Sequence, residues 1–371
     1  MPVQAGAPPA LPARALPFRI EPESHELLSG YLCRVARRYG TTPYALCALH
    51  FSAGQYWSRD PDRGVLAPLM TRTAQGLGLP EEVVLRMTLA PWIARLAPTS
   101  GAKPAWACTP WINAVGVFHR TRRLHGLAWC PECLAETGVV QRLWRLSFVV
   151  ACERHGRILS DACHGCAAPF VPHRSARGVQ WCHRCAAWLG ATPAVCSNAA
   201  LAELLAFQSQ ALTELWAPCP DDPVAAPKLQ GLRCVVALGA GTRQWERFAS
   251  SLDLDVTGHR LQAEPAVLEK MRLVDRVPLL LACARVLADP SVLRPIAGEL
   301  GWSARALRRC GAVPAWLEAA LGDLPAGHGR RRTANGPIEA RIALIDRERA
   351  AGWRGEQARL LMKAAARRRT R

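Results

Sequence analysis

The sequence predicts a mainly α, multi-domain helical protein with tandem small zinc-binding modules of the zinc-ribbon or zinc-finger kind and a helix-turn-helix-like C-terminal helical domain. Its 371 residues are enough for about two or three domains. Apolar residues recur with a helical period near the start of the chain and again after residue 197. Between them lies a segment rich in Cys, His, Trp and Gly without a long helical period, which is typical of a small core held by metal.

These changes in residue composition and hydrophobic periodicity divide the chain into five predicted parts. They are a flexible lead-in over 1–16, a helical domain over 17–110, a tandem zinc-binding region over 111–196, a C-terminal helical domain over 197–326 and a basic tail over 327–371.

Capping residues mark the expected helix boundaries. Ser24 is the expected N-cap of an amphipathic helix that Gly40 ends, and Thr42-Pro43 is the expected start of a second helix. The helical pattern continues over 80–96, where Pro91 is expected to break it. Later helices are predicted over 199–216, 265–288, 291–300, 303–310 and 338–363.

The chain is strongly basic. Its formal net charge is +18, and 43 of its 47 basic residues are arginine. The planar arginine fork suits phosphate and carboxylate groups, so the excess favours a polyanionic partner. A G+C-rich genome is an alternative explanation for the ratio of Arg to Lys, although codon bias does not by itself deplete acidic residues.

The sequence predicts neither a membrane span nor a secretion signal. The longest apolar run, near 279–284, is interrupted by Arg285 well short of the roughly 20 residues that a span needs. The Pro- and Ala-rich start lacks the apolar core of a signal peptide. We therefore expect a cytoplasmic protein without a membrane partner, in which cysteines are reduced and serve as metal ligands or core residues.

Eight candidate metal ligands form four pairs, each with two residues between its members. They are Cys130, Cys133, Cys152, His155, Cys163, Cys166, Cys182 and Cys185. Two ligands three residues apart on a tight turn can face one tetrahedral Zn²⁺, and a second such pair completes the shell. Two sites with four protein ligands each leave no position for a substrate water. The spacing therefore predicts two structural zinc ions and no catalytic residue at them.

The spacing allows two pairings of these ligands. In the sequential pairing, which we favour, the four ligands from 130 to 155 form one site and the four from 163 to 185 form the other. In the interleaved pairing, 130/133 joins 163/166. If one ligand assignment fails, Cys196 is the best spare ligand. His164 and His183 are expected to face solvent or a phosphate, whereas Cys33, Cys47, Cys234 and Cys283 are expected in the core.

Residues 292–310 have the spacing of a helix-turn-helix. Ala297 is small enough for close helix approach, Gly301 takes the turn, and Ser303 caps a helix whose outer face offers Arg305, Arg308 and Arg309. An ordinary helical hairpin with a solvated basic face is the alternative.

The tail supplies further candidate phosphate contacts, although it could also be a solvated tail. They are Arg330, Arg331, Arg332, Arg367, Arg368 and Arg369.

Several short motifs of this sequence resemble those of the TniQ family of transposition target-selection proteins. The resemblance covers about residues 17–190 and begins in the first helix with Pro22-x-Ser24 and with Leu28-Ser29-Gly30-Tyr31-Leu32-x-Arg34. It continues through Trp129-Cys130-Pro131-x-Cys133-Leu134-x-Glu136, Trp144-Arg145-Leu146, Cys152-x2-His155-Gly156-x2-Leu159 and Cys163-x2-Cys166.

The resemblance implies a non-catalytic adaptor of a mobile element. Such a protein marks target DNA, directly or through a partner complex, and recruits an AAA ATPase regulator and a transposase. In some relatives the partner is a CRISPR RNA-guided complex, and family members can act as homodimers. Nothing in the sequence decides between these modes of targeting.

Two common enzyme motifs are absent from the sequence. It has no Gly-x4-Gly-Lys-Ser/Thr loop and no His-Glu-x2-His, and the acidic pairs Asp221/Asp222 and Asp253/Asp255 look like solvated turns. The alternative function is a zinc-containing DNA-binding transcriptional regulator. That function explains the charge but not the Trp, Cys and His-Gly arrangement that resembles TniQ.

Overall fold

The computed structural model describes residues 15–51, 56–64, 67–96, 109–192, 198–217, 226–240, 244–256 and 267–327. The lead-in up to residue 14, Cys196, the predicted helix over 338–363 and the arginine clusters 330–332 and 367–369 lie outside the described residues. The chain divides into a unit of Met1–Pro325 and a unit of Ala326–Arg371. All elements named below lie in the first unit, and the finer domain boundaries stay a prediction.

The described residues are mainly helical with few strands, as predicted. The helices are α1 (Leu28–Arg38), α2 (Pro43–His50), α3 (Ala67–Leu77), α4 (Glu81–Arg86), α5 (Ala90–Leu96), α6 (Pro131–Thr137), α7 (Asn198–Trp216), α8 (Pro227–Gly239), α9 (Trp245–Ser250), α10 (Leu273–Ala288), α11 (Leu293–Glu299), α12 (Ala304–Arg308) and α13 (Ala315–Leu321). Two antiparallel hairpins pair β1 (Val117–Phe118) with β2 (Thr121–Arg122) and β3 (Ala151–Cys152) with β4 (Arg157–Ile158). No helix among the described residues is both long and apolar enough to cross a membrane.

The start of α1 differs from the prediction. Ser24 lies in a turn, and the N-cap residue is Leu27, whose side chain makes no capping bond. The backbone N–H of Leu27 donates instead to the Val140 carbonyl at 2.8 Å. Long-range pairing therefore replaces the local cap and sets where the helix begins.

The start of α2 follows its local sequence. The side chain of Thr42 accepts a hydrogen bond from the Ala45 backbone N–H at 3.2 Å, and Pro43 occupies the first helical position. A proline is favourable there because its missing N–H would have no partner within the helix.

The predicted break at Pro91 is wrong. The helical pattern over 80–96 ends instead at Arg86 and resumes at Ala90, so that Pro91 lies in the first turn of α5. Proline is tolerated in the first turn. Thr88 makes the break by bonding locally: its Oγ1 donates to the Leu85 carbonyl at 2.7 Å and accepts from the Ala90 N–H at 3.1 Å.

In the C-terminal part of the first unit, α10 packs against α7 and α8. Leu279, Leu280 and Cys283 of α10 are fully buried. The sequence did not predict α8, which contains two glycines. One of them, Gly231, is required by close packing, because a Cβ atom there would lie 2.2 Å from Cζ2 of the Trp316 ring.

Candidate metal centres

The first cluster comprises Cys130, Cys133, Cys152 and His155. Cys130 is the N-cap residue of α6 and Cys133 lies in its first turns, with Pro131 at the first helical position. Cys152 ends β3, and His155 lies in the turn that leads to β4. A helix start and a hairpin turn therefore each present two ligands to one point.

The distances within this cluster suit a tetrahedral zinc ion. The Sγ atoms of Cys133 and Cys152 are 3.6 Å apart, and His155 Nδ1 lies 3.4 Å from Cys130 Sγ and 3.2 Å from Cys133 Sγ. Zinc–sulfur bonds of about 2.3 Å in a tetrahedron place two sulfurs about 3.8 Å apart. A disulfide would need about 2.0 Å. The donor set and its spacing therefore fit zinc.

The second cluster comprises Cys163, Cys166, Cys182 and Cys185, and two equivalent turns build it. The N–H of Ala167 donates to the Cys163 carbonyl at 2.8 Å, and the N–H of Ala186 donates to the Cys182 carbonyl at 3.0 Å. Both alanines have positive φ, 55° and 56°. Sγ–Sγ distances of 3.6 Å join Cys163 to Cys185 and Cys166 to Cys182.

The two clusters are arranged sequentially along the chain. In each, the four candidate ligand atoms lie within 4.8 Å of one another, whereas no group of ligands combines 130/133 with 163/166 among the described residues. The two clusters could therefore hold two zinc ions.

Local electrostatics differ between the two turns of the second cluster. Burial raises the pKa of the Cys163 thiol to about 12. Cys185, by contrast, is exposed. Its pKa is lowered to about 7, mainly because its sulfur accepts a hydrogen bond from the backbone of Ala187. A cation bound between them would favour the thiolate form of both, because thiolate is the form that binds metal.

The comparison with protein families concerns the part of the chain that contains α1 and the first cluster. The model of the family described as TniQ matches residues 17–159. Residues 17–159 are therefore similar to the TniQ family. A comparison with curated proteins gave no match. A TniQ region implies a role in target selection associated with transposition, and the predicted family is confirmed.

Within the TniQ region, Glu136 supports the first cluster, a role that sequence reasoning did not assign. Its Oε1 lies 3.0 Å from Nε2 of His155, so that Nδ1 of the same ring is directed at the sulfur atoms. Although burial lowers the pKa of His155, the bond to Glu136 raises it above its ordinary value. Carboxylates commonly orient metal-binding histidines in this way. The signal was available, because Glu136 follows Cys133 on α6.

A buried ion-pair network occupies the centre of the TniQ region. Arg145, which is 1% exposed, pairs with Asp60 at 2.6 Å and Asp62 at 3.1 Å. Asp62 accepts hydrogen bonds from the backbone N–H and the hydroxyl of Ser29, both at 2.8 Å. The Trp144-Arg145-Leu146 motif is thereby linked to α1 through Ser29.

The charges in this network act on one another. Burial would raise the pKa of Asp60, but the Arg145 guanidinium holds it below its ordinary value. Burial, followed by the charge of Asp60, raises the pKa of Asp62 to about 6. The network therefore depends on Arg145 to keep two adjacent buried carboxylates charged.

The other residues discussed in the sequence analysis differ in how far they are exposed to solvent. His164 is exposed, in agreement with the prediction, whereas His183 is half-buried and its Nδ1 has no hydrogen-bond partner among the described residues. Cys33, Cys47, Cys234 and Cys283 are buried, as predicted. Arg305, Arg308 and Arg309 are exposed on and beside α12.

Proposed function

We propose that the chain is a non-catalytic target-site selection adaptor in DNA transposition. It links target DNA, directly or through a partner complex, to an AAA ATPase regulator and a transposase. The family match of residues 17–159 carries this proposal.

The metal clusters support an adaptor more than an enzyme. Cys130, Cys133, Cys152 and His155 hold one zinc ion, and Cys163, Cys166, Cys182 and Cys185 hold the other. Zinc with four protein ligands supplies folding energy and has no open position for a reacting water. Asp253 and Asp255 belong to no candidate metal group among the described residues.

Direct DNA contact is proposed for the segment over 292–310. Gly301 has a φ of 65°, and the Ser303 hydroxyl accepts from the Ala306 N–H at 3.3 Å, so a short turn joins α11 to α12. Leu307 is buried while Arg305 and its neighbours at 308 and 309 face solvent. We propose a helix-turn-helix use of this hairpin, with Arg330, Arg331, Arg332, Arg367, Arg368 and Arg369 as further phosphate contacts.

Replacing Arg305, Arg308 and Arg309 together by Ala is expected to reduce discrimination between target and unrelated DNA. Side chains of a helix in the major groove contact base edges, so each lost contact costs about 1–3 kcal/mol at the cognate site only. Competition binding with both duplexes measures the ratio. An equal loss on both sequences would assign these residues to a solvated or phosphate-contacting face.

Partner choice is the remaining part of the proposal. A CRISPR RNA-guided complex is one candidate for the complex that reads the target, and a homodimer is one candidate for the active state. The alternative of a transcriptional regulator shares the exposed arginines but leaves the family match unexplained. A neighbouring transposase gene and AAA ATPase gene would favour the adaptor.

A reconstituted transposition assay tests the function. Omission of the chain is expected to abolish or randomise targeted insertion, while strand transfer by the transposase on pre-assembled ends continues. Targeting that is unchanged without the chain, or DNA cleavage or joining by the chain alone, contradicts the adaptor.

A further inference from the structure

Among the described residues, five cysteines lie outside the two metal clusters. Cys310 is half-buried just beyond the end of α12, whereas the other four are buried: Cys33, Cys47, Cys234 and Cys283. A thiol reacts with an oxidant in solution only where the oxidant can reach it. Cys310 is therefore the candidate for such a reaction in this group.

The sulfur of Cys310 lies against α8, next to Cys234. Its Sγ is 4.0 Å from the Cys234 carbonyl oxygen and 3.7 Å from the carbonyl oxygen of Ala306, one turn back on α12. A hydrogen bond also joins the two thiols. Cys234 is therefore the cysteine that an oxidised Cys310 would meet first.

The chain that follows Cys310 is held against the same face of α8. Gln230, which is one turn before Cys234, donates through Nε2 to the Ala312 carbonyl at 3.1 Å. Gly311 has a φ of 100°, a conformation that glycine adopts without strain. Residues four apart on a helix lie on one face, so Gln230 and Cys234 both contact this segment. The packing therefore keeps the two thiols close together.

The two thiols differ in acidity. The hydrogen bond from Cys234 lowers the pKa of Cys310, although burial opposes this effect. The same bond, together with burial, raises the pKa of Cys234. Because thiolate is the nucleophilic form, Cys310 is expected to react first while Cys234 remains a thiol beside it. An accessible cysteine beside a second, resolving cysteine is typical of redox-sensitive pairs.

We propose that Cys310 and Cys234 form a reversible disulfide when the protein meets a hydroperoxide. The pair is a modification site outside both metal clusters, and this inference does not depend on the proposed function. The disulfide fastens the C-terminal end of α12 to α8. Oxidation therefore restricts the movement of the hairpin over 292–310.

The reaction proceeds in two steps. The Cys310 thiolate attacks one oxygen of hydrogen peroxide, the O–O bond breaks, and hydroxide leaves, so that Cys310 becomes a sulfenic acid. The Cys234 thiol then attacks the Cys310 sulfur, and the S–O bond breaks. The proton of Cys234 leaves with the hydroxyl group as water. Two electrons pass from the two sulfurs to the peroxide, which is reduced to hydroxide and water.

The test is oxidation of the full, zinc-loaded chain with one equivalent of hydrogen peroxide, followed by alkylation and tryptic peptide mapping without reductant. Cys234 and Cys310 are each the single cysteine of their tryptic peptides, 234–243 and 310–330. We expect these two peptides to be joined, with the loss of two alkylatable thiols per chain and no release of zinc. Dithiothreitol is expected to separate the peptides and restore both thiols.

Two variants identify the role of each cysteine. Cys234→Ser removes the resolving thiol, so Cys310 is expected to accumulate as a sulfenic acid that dimedone traps. Cys310→Ser is expected to give neither the joined peptides nor a dimedone adduct at Cys234. The matched control is Cys283→Ser, which changes a fully buried cysteine of α10 and is expected to form the 234–310 disulfide like wild type.

Several results would overturn the inference. They are the absence of the joined peptides after oxidation, the appearance of the disulfide only between two chains, and the release of zinc before any 234–310 disulfide forms. Equal loss of the disulfide in Cys283→Ser and Cys310→Ser would also overturn it. Because Cys310 is half-buried, Cys310→Ser provides a test even where the buried change Cys234→Ser prevents folding.

Discussion

Cys130→Ser is expected to remove one zinc ion per chain and to destabilise the protein far more than an ordinary buried cysteine change. The wild-type protein is expected to contain about two zinc ions, since eight ligands form two four-ligand sets. Loss of one ligand weakens the site, and the binding energy of a structural zinc is folding energy. Elemental analysis and thermal unfolding measure both effects.

Cys283→Ser is the matched control, because Cys130 and Cys283 are both fully buried. A buried hydroxyl in place of this thiol costs about 1–3 kcal/mol, and the zinc content is expected to stay at about two per chain. Cys163→Ser is expected to behave like Cys130→Ser. Equal melting temperatures for Cys130→Ser and Cys283→Ser, or a folded wild-type protein with one zinc ion or none, contradict the assignment.

Arg145→Met is expected to be the most destabilising change outside the metal clusters. It leaves Asp60 and Asp62 buried beside each other without their ion-pair partner, and removal of one partner from a buried pair costs about 3–5 kcal/mol. The expected result is a lower midpoint in chemical denaturation. Arg247→Met removes an exposed pair with Glu299 and is expected to cost less than about 1 kcal/mol.

The loss from Arg145→Met depends on pH in a known direction. Without Arg145, both carboxyls would have folded-state pKa values above their unfolded ones, because burial disfavours their charge. A raised folded pKa makes folding less favourable when the pH is above it. The deficit relative to wild type is therefore expected to be largest at neutral pH and to shrink as the pH falls. A deficit that grows on acidification contradicts this account of the network.

The sequence by itself determined the features that local geometry controls. Two cysteines separated by two residues can both face one metal ion, so Cys163 and Cys166 were predictable as a pair of ligands. Thr42 and Pro43 start α2 because both act through their own backbone neighbourhood. The TniQ family was also predictable, since its motifs are short and contiguous.

Tertiary structure alone decided the features that join distant parts of the chain. Hydrogen bonding of Leu27 to Val140 moved the start of α1 away from Ser24. Arg145 was visible as part of a motif, but its pairing with Asp60 spans 85 residues and has no local signal. Local sequence sets turns and caps, whereas burial and long-range pairing decide which charged groups meet.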